Sequence, residues 1–166
     1  MAVAPLILTV TVDERSQAVF DDLRRAHFPP ERNLLSAHVT LFHALPGDAQ
    51  VVEDVAAAAD RPGFEIEVAR VRSLGRGVAY DLRSSPLEEV RAGLAERWSD
   101  RLSRQDRAGF RPHVTVQNKV NPVVARALLA ELERSFVPWT CTAEGLSLWW
   151  YRGGPWEHLV STPFSR

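Results

Sequence analysis

Two copies of one tripeptide carry the residue types best suited to proton transfer in this chain, His38-Val39-Thr40 and His113-Val114-Thr115. An imidazole titrates near neutral pH, so a neutral ring can take a proton while a protonated one gives a proton. A threonine hydroxyl, helped by a nearby arginine or backbone amide, can hold an oxyanion. Two such pairs converging on one cleft suit acid-base cleavage of a phosphodiester with no metal. Water or a ribose hydroxyl would attack phosphorus on one side while the departing oxygen is protonated on the other.

The surrounding residues say how the pairs are held. Ala37-His38-Val39-Thr40-Leu41-Phe42 and Pro112-His113-Val114-Thr115-Val116-Gln117 are dominated by β-branched and apolar residues, and both read as strands. Side chains alternate between faces along a strand, so His and Thr of each triplet share one face. Val39, Leu41, Val114 and Val116 then enter a core. Continued alternation puts Phe42 on the cleft face, where it could stack on a base. Gln117 takes the matching place after Thr115 and could hydrogen-bond substrate.

In chain order, Leu6 to Val12 reads as a strand and Asp13 caps a helix reaching about His27. Pro29-Pro30 ends that helix, and the first triplet strand follows. Asp48 caps a second helix, Ala49 to Ala59, and Pro62-Gly63 separates it from a strand over Phe64 to Leu74. Gly75-Arg76-Gly77 turns into a strand over Val78 to Leu82. Ser85, Pro86 and Glu88 mark another helix start, with Leu87, Val90, Leu94, Trp98 and Leu102 along its apolar face. After the second triplet, Asn121-Pro122 opens a helix with Val124, Leu128 and Leu132 on one face. Strands over Trp139 to Trp150 and Trp156 to Thr162 finish the chain.

The two halves match. The histidines stand 75 positions apart, as do Phe64 and Trp139, and Arg76-Gly77 recurs as Arg152-Gly153. The reading is one domain, residues 1–166, with pseudo-twofold lobes built from repeats at about 13–82 and 86–163.

Composition bounds the rest. The chain has 166 residues, 45% hydrophobic and 25% charged, enough for a sizeable core, and a net charge of −1 that exerts no global pull on polyanions. The single Cys141 excludes an internal disulfide and fits a reducing cytoplasm. The apolar start has no preceding basic residue and is too short to span a bilayer. His38 and His43 differ by five positions, so alternation sets them on opposite faces and argues against a shared metal site. His27, His43 and His158 read as structural or surface residues. Arg97, Arg101, Arg104, Arg107 and Arg111 recur at three- and four-residue steps; they read as a solvated helix face more than as a track for RNA.

Paired His-x-Thr motifs in a duplicated α+β chain resemble the 2H phosphoesterase superfamily, especially its bacterial 2′-5′ RNA ligase and 2′,3′-cyclic phosphodiesterase branch. The resemblance covers Leu35 to Phe42, Arg111 to Val116 and the ending Leu146 to Trp156. It implies two antiparallel sheets flanked by helices, with His38, Thr40, His113 and Thr115 lining a groove between them. Tyr151, Arg152 and Trp156 fall at the family's closing turn, where Arg152 could hold a phosphate; Arg76, its symmetry mate, reads as a solvated hairpin residue. The activity implied is metal- and cofactor-independent hydrolysis of 2′,3′-cyclic phosphates of RNA ends or nucleotides to 2′-phosphates. Reversible 2′-5′ RNA ligation is the alternative, and a non-catalytic RNA- or nucleotide-binding module is the rival of another class. By resemblance His113 is the base and His38 the acid, although a pseudo-symmetric site can run either way. The expected protein is a cytoplasmic monomer with no membrane partner.

Overall fold

The computed structural model describes residues 3–165; Met1 and Ala2 of the apolar start, and Arg166, lie outside the described residues. The elements in order are β1 (Leu6–Val12), α1 (Glu14–His27), β2 (Val39–Leu45), α2 (Ala49–Ala58), β3 (Phe64–Ser73), β4 (Val78–Arg83), α3 (Ser85–Arg97), α4 (Arg104–Arg107), β5 (His113–Gln117), α5 (Pro122–Ser135), β6 (Trp139–Trp150) and β7 (Glu157–Pro163).

All strands pair antiparallel, in the order β2-β1-β6-β3-β4-β5, with β7 also on β6. Strand β6 is long enough to serve two sheets. Its first part, Trp139 to Ala143, pairs with β3, and from Ala143 to Trp150 it pairs with β1. From Gly145 onward β7 takes the edge that β3 has left. The two expected sheets, β2-β1-β6-β7 and β5-β4-β3-β6, therefore run into one another through β6. Each triplet strand sits at an outer edge, and no helix of the described residues is long and apolar enough to cross a membrane.

The core lies between the sheet and the helices. Leu6, Leu8, Leu41, Ile66, Val68, Leu146 and Leu148 are fully or almost fully buried, and Phe20, Leu87 and Trp98 reach them from the helical layer and its loops. Burial of each large side chain contributes about 1.5–3 kcal/mol, which is how the strands are pressed into register. Asp13, Asp48 and Asn121 cap α1, α2 and α5 through Ser16, Val51 and Val123 amides. The cap of α3 is Ser84 and not Ser85: the Ser84 hydroxyl accepts from the Leu87 amide and places Pro86 in the first turn. Helix α3 stops at Arg97, so Trp98 and Leu102 are buried from the loop beyond it. On α5 the inward residues are Ala125 and Leu128, while Val124 is turned out to solvent.

Candidate active site

His38 immediately precedes β2 and His113 begins β5. Both strands then carry the same irregularity. Thr9 pairs with Thr40 but Leu8 pairs with Phe42; likewise Ala79 pairs with Thr115 but Val78 with Gln117. One step on the partner strand matches two on the triplet strand, so Leu41 and Val116 are the extra residues of two equivalent bulges. Each bulge reverses the alternation just beyond the threonine.

That reversal corrects three expectations. Phe42 is turned into the core, 0% exposed, edge-on to Trp98 at 5.2 Å and with the Arg91 guanidinium 4.2 Å from its ring centre. Gln117 is 4% exposed, and its Oε1 has no hydrogen-bond partner among the described residues. Neither side chain stands on the cleft face. Conversely, the exposed His43 comes round to the face of Thr40, close enough to bear on both His38 and His113. Its backbone N–H and that of Ala44 donate to the buried carboxylate of Asp106, at 2.8 and 3.0 Å.

The triplet histidines are held alike. His38 Nδ1 lies 2.8 Å from the Ser36 carbonyl oxygen, and His113 Nδ1 lies 2.8 Å from that of Arg111. A carbonyl only accepts, so each ring places its proton on Nδ1 and leaves Nε2 for chemistry. Burial is the main cause that lowers His38, to about 4, despite the Ser36 hydrogen bond; the charges of Arg24, His113 and His43 add to it. Burial also lowers His113, with the Arg72 charge adding to it, opposed by the Arg111 hydrogen bond and the Asp81 carboxylate. Behind the strands, Arg24 donates to the Thr115 carbonyl at 2.9 Å, and Arg91 donates to the Leu41 carbonyl at 3.2 Å. These buried arginines tie α1 and α3 to the triplet strands. They were missed in the sequence although each sits four residues past a buried apolar residue of its own helix, Phe20 and Leu87, a place where an unpaired cation would not be tolerated.

The two flanks of the pair differ in chemistry. Beside His38 the surface is aromatic: Trp156 lies 4.5 Å from the His38 ring, Trp149 lies 6.4 Å from Trp156, and Trp149 Nε1 donates to the Thr9 hydroxyl. His158 packs edge-on to Trp149 at 5.0 Å and meets the Ser161 hydroxyl. Beside His113, its cross-strand partner Asp81 gathers Arg70, Arg72 and Arg111.

At the closing turn it is Trp156 that touches a triplet histidine. Arg152 pairs with Glu157 at 2.9 Å, and Tyr151 is 43% exposed with its backbone N–H on the Pro5 carbonyl. Arg76 donates to the Val120 carbonyl. The arginine run is not one helical face: Arg97 and Arg101 pair with Asp54 and Asp48, and Arg111 joins Asp81. Among the described residues no three His, Cys, Asp or Glu side chains are grouped to hold a metal ion.

No curated protein matches the sequence. Solved structures share the fold. Apo LigT from E. coli superposes with a TM-score of 0.65 at 17% identity over 100% of both chains. TT0787 of Thermus thermophilus gives 0.62 at 13% identity over 96% of this chain and 97% of its own. A structure described as a phosphoesterase gives 0.61 at 16% identity over 99% of each chain. The family model for the 2'-5' RNA ligase superfamily matches residues 12–155, a span that includes both triplets and both bulges. The chain belongs to the 2'-5' RNA ligase superfamily.

Proposed function

We propose that this protein is a metal-independent phosphodiesterase that opens 2′,3′-cyclic phosphates of RNA ends or nucleotides to 2′-phosphates, with His38, Thr40, His113 and Thr115 as its catalytic residues. The observation that carries this reading is the doubled imidazole geometry. Two rings have Nδ1 pinned to a carbonyl two residues back, and each has a threonine on the same face of an edge strand. Family membership supports phosphoesterase or ligase-type chemistry, and E. coli LigT has been crystallised with phosphate, 3'-AMP and ATP.

The electrostatics favour roles opposite to those implied by resemblance. His38 is the ring more reluctant to carry a proton, because burial, with the Arg24 guanidinium adding to it, opposes its charge. It suits the base: neutral Nε2 takes a proton from water as the water oxygen bonds to phosphorus. His113 is lowered too, by burial and the Arg72 charge against the Arg111 carbonyl and the Asp81 carboxylate, but less far than His38, so it is the better suited of the two to be the acid. As the P–O3′ bond breaks, His113 Nε2 gives its proton to the departing oxygen. The products are a 2′-phosphate, a protonated His38 and a neutral His113, and proton exchange with water resets the pair. Thr40 and Thr115 hydroxyls donate to the non-bridging oxygens as negative charge builds. Ligation is the same path with a ribose hydroxyl in place of water, and the family to which the chain belongs keeps it as a second reading.

Hydrolysis of a 2′,3′-cyclic nucleotide in EDTA is the test, with product analysis. His38→Ala and His113→Ala should each lose about 10²–10⁴-fold in rate; wild-type turnover in both variants would overturn the proposal.

A further inference from the structure

The pseudo-twofold relation makes the two lobes comparable row by row. On the His113 lobe, Arg70, Asp81 and His113 form one row across β3, β4 and β5, and Arg72, Ala79 and Thr115 form the next. On the His38 lobe the corresponding rows run across β6, β1 and β2. Ser147, Thr9 and Thr40 form one, and Gly145 with Thr11 lies one step along toward His38. One lobe backs its catalytic pair with hydroxyls and a glycine, the other with arginines. Nothing in the acid-base chemistry requires this difference, since both His-Thr pairs are complete without it.

The arginines are arranged as a receptor. Arg70 Nε donates to Asp81 Oδ2 at 2.8 Å, Arg111 Nη2 donates to the same oxygen at 3.0 Å, and Arg72 Nε lies 2.7 Å from Oδ1 without its N–H aimed at it. Burial works against the Asp81 carboxylate, but the hydrogen bonds and nearby guanidiniums hold it below the ordinary range, so it stays charged. Three cations against one anion leave two positive charges on one face of a chain whose net charge is −1. A guanidinium has five N–H donors, and Asp81 engages only one on Arg70 and one on Arg111. The side chains of Arg70 and Arg111 are 61% and 55% exposed, so their remaining donors face solvent while the shared carboxylate fixes their stems. Fixed, forked donors are the geometry that phosphate oxygens accept.

We propose that Arg70, Arg72 and Arg111, assembled on Asp81, form a subsite for a second phosphate group, so that the substrate is a nucleic-acid strand end or a nucleotide bearing a further phosphate. The inference rests on reading the cleft as a phosphodiester site. It adds a direction to that reading: the substrate's additional phosphate lies on the His113 lobe and its base faces Trp156 on the His38 lobe. Strands in a sheet are about 4.8 Å apart, so Arg70 stands about two strand spacings from His113. A neighbouring phosphate can bridge that distance.

The test compares kcat/KM for a nucleoside 2′,3′-cyclic phosphate with that for the same compound carrying a 5′-phosphate. Wild type should prefer the 5′-phosphorylated substrate by about tenfold or more. The preference should shrink several-fold in Arg70→Gln and in Arg111→Gln, approach unity in the double variant, and survive in part in Arg70→Lys. Binding of a non-hydrolysable 3′-phosphorylated deoxydinucleotide, followed by tryptophan fluorescence, gives a readout that needs no turnover. The slope of log affinity against log salt should fall by about one for each cation removed. An unchanged substrate ratio in the double variant, or an unchanged salt slope, overturns the subsite. Failure of wild type to open any cyclic phosphate overturns the proposed reaction instead, and the dinucleotide titration still decides the subsite.

Discussion

Asp106 offers a sharp test of how the first triplet strand is held. Its carboxylate is almost fully buried and accepts from the backbone N–H groups of His43 and Ala44, with His43 Nδ1 at 3.3 Å. Beyond the Leu41 bulge the pairing of β2 with β1 shifts again, Leu8 facing Phe42 but Leu6 facing Leu45, and Asp106 takes up the amides that an edge strand would otherwise leave open. Asp106→Ala leaves two amides without that acceptor, at about 1–3 kcal/mol each. Partial access of water to the edge brings the expected loss to about 2–4 kcal/mol, a large share of the ~5–15 kcal/mol that stabilises a domain. Asp106→Asn keeps one acceptor oxygen and should lose about half as much. Because β2 also carries Thr40 and leads directly from His38, a small displacement of the strand should lower kcat by about 10²-fold. Urea unfolding followed by circular dichroism gives the first number and steady-state kinetics the second. A loss below about 1 kcal/mol in Asp106→Ala, with normal kcat, would refute the account of β2 as a strand held in place by this carboxylate.

The aromatic assignments make opposite predictions for two residues. Phe42→Ala should destabilise the fold by about 3–5 kcal/mol, since its ring is buried against Trp98 and Arg91. Trp156→Ala should unfold at nearly the wild-type urea concentration yet weaken nucleotide binding by about 1–3 kcal/mol, the worth of one stacked base; equal affinities in wild type and variant would remove Trp156 from the site. The pH dependence of stability follows from His38, whose folded form is lowered to about 4 by burial. An unfolded histidine takes a proton near pH 6.5, so stability should fall as pH drops from about 6.5 toward 4 and remain steady above. Replacing His38 with Gln should flatten that slope, and a wild-type curve level across the same window would refute the burial argument.

The paired triplets and most element ends were legible because their signals are local. A triplet is recognised from its own residues, and caps such as Asp13, Asp48 and Asn121 act within three positions. The bulges were not legible. Whether Leu41 and Val116 are extra residues depends on how β1 and β4 pair across the sheet, and strict alternation consequently sent Phe42 and Gln117 to the wrong face and His43 away from the right one. The arginine cluster was half visible. Arg70 and Arg72 flank Val71 with period two, which marks them as sharing a face. Only the pairing of β3 with β4 and of β4 with β5 shows that Asp81 collects them beside His113.

The crossing of strands through β6 has a consequence for the order of folding. Strand β1 finds its inner partner only in Ala143 to Trp150, far along the chain, while β3 is followed directly by β4, its partner over Glu67 to Ser73. The sheet carrying His113 can thus zip up largely from strands close in sequence, whereas the one carrying His38 must close a loop of more than a hundred residues, a slow step. During synthesis the apolar β1-β2 pair would wait, with β1 lacking one neighbour, until β6 has emerged. Substitutions that weaken the Thr9-Ser147 and Ile7-Trp149 register should therefore lower the yield of folded protein during synthesis more than they lower the stability of molecules already folded.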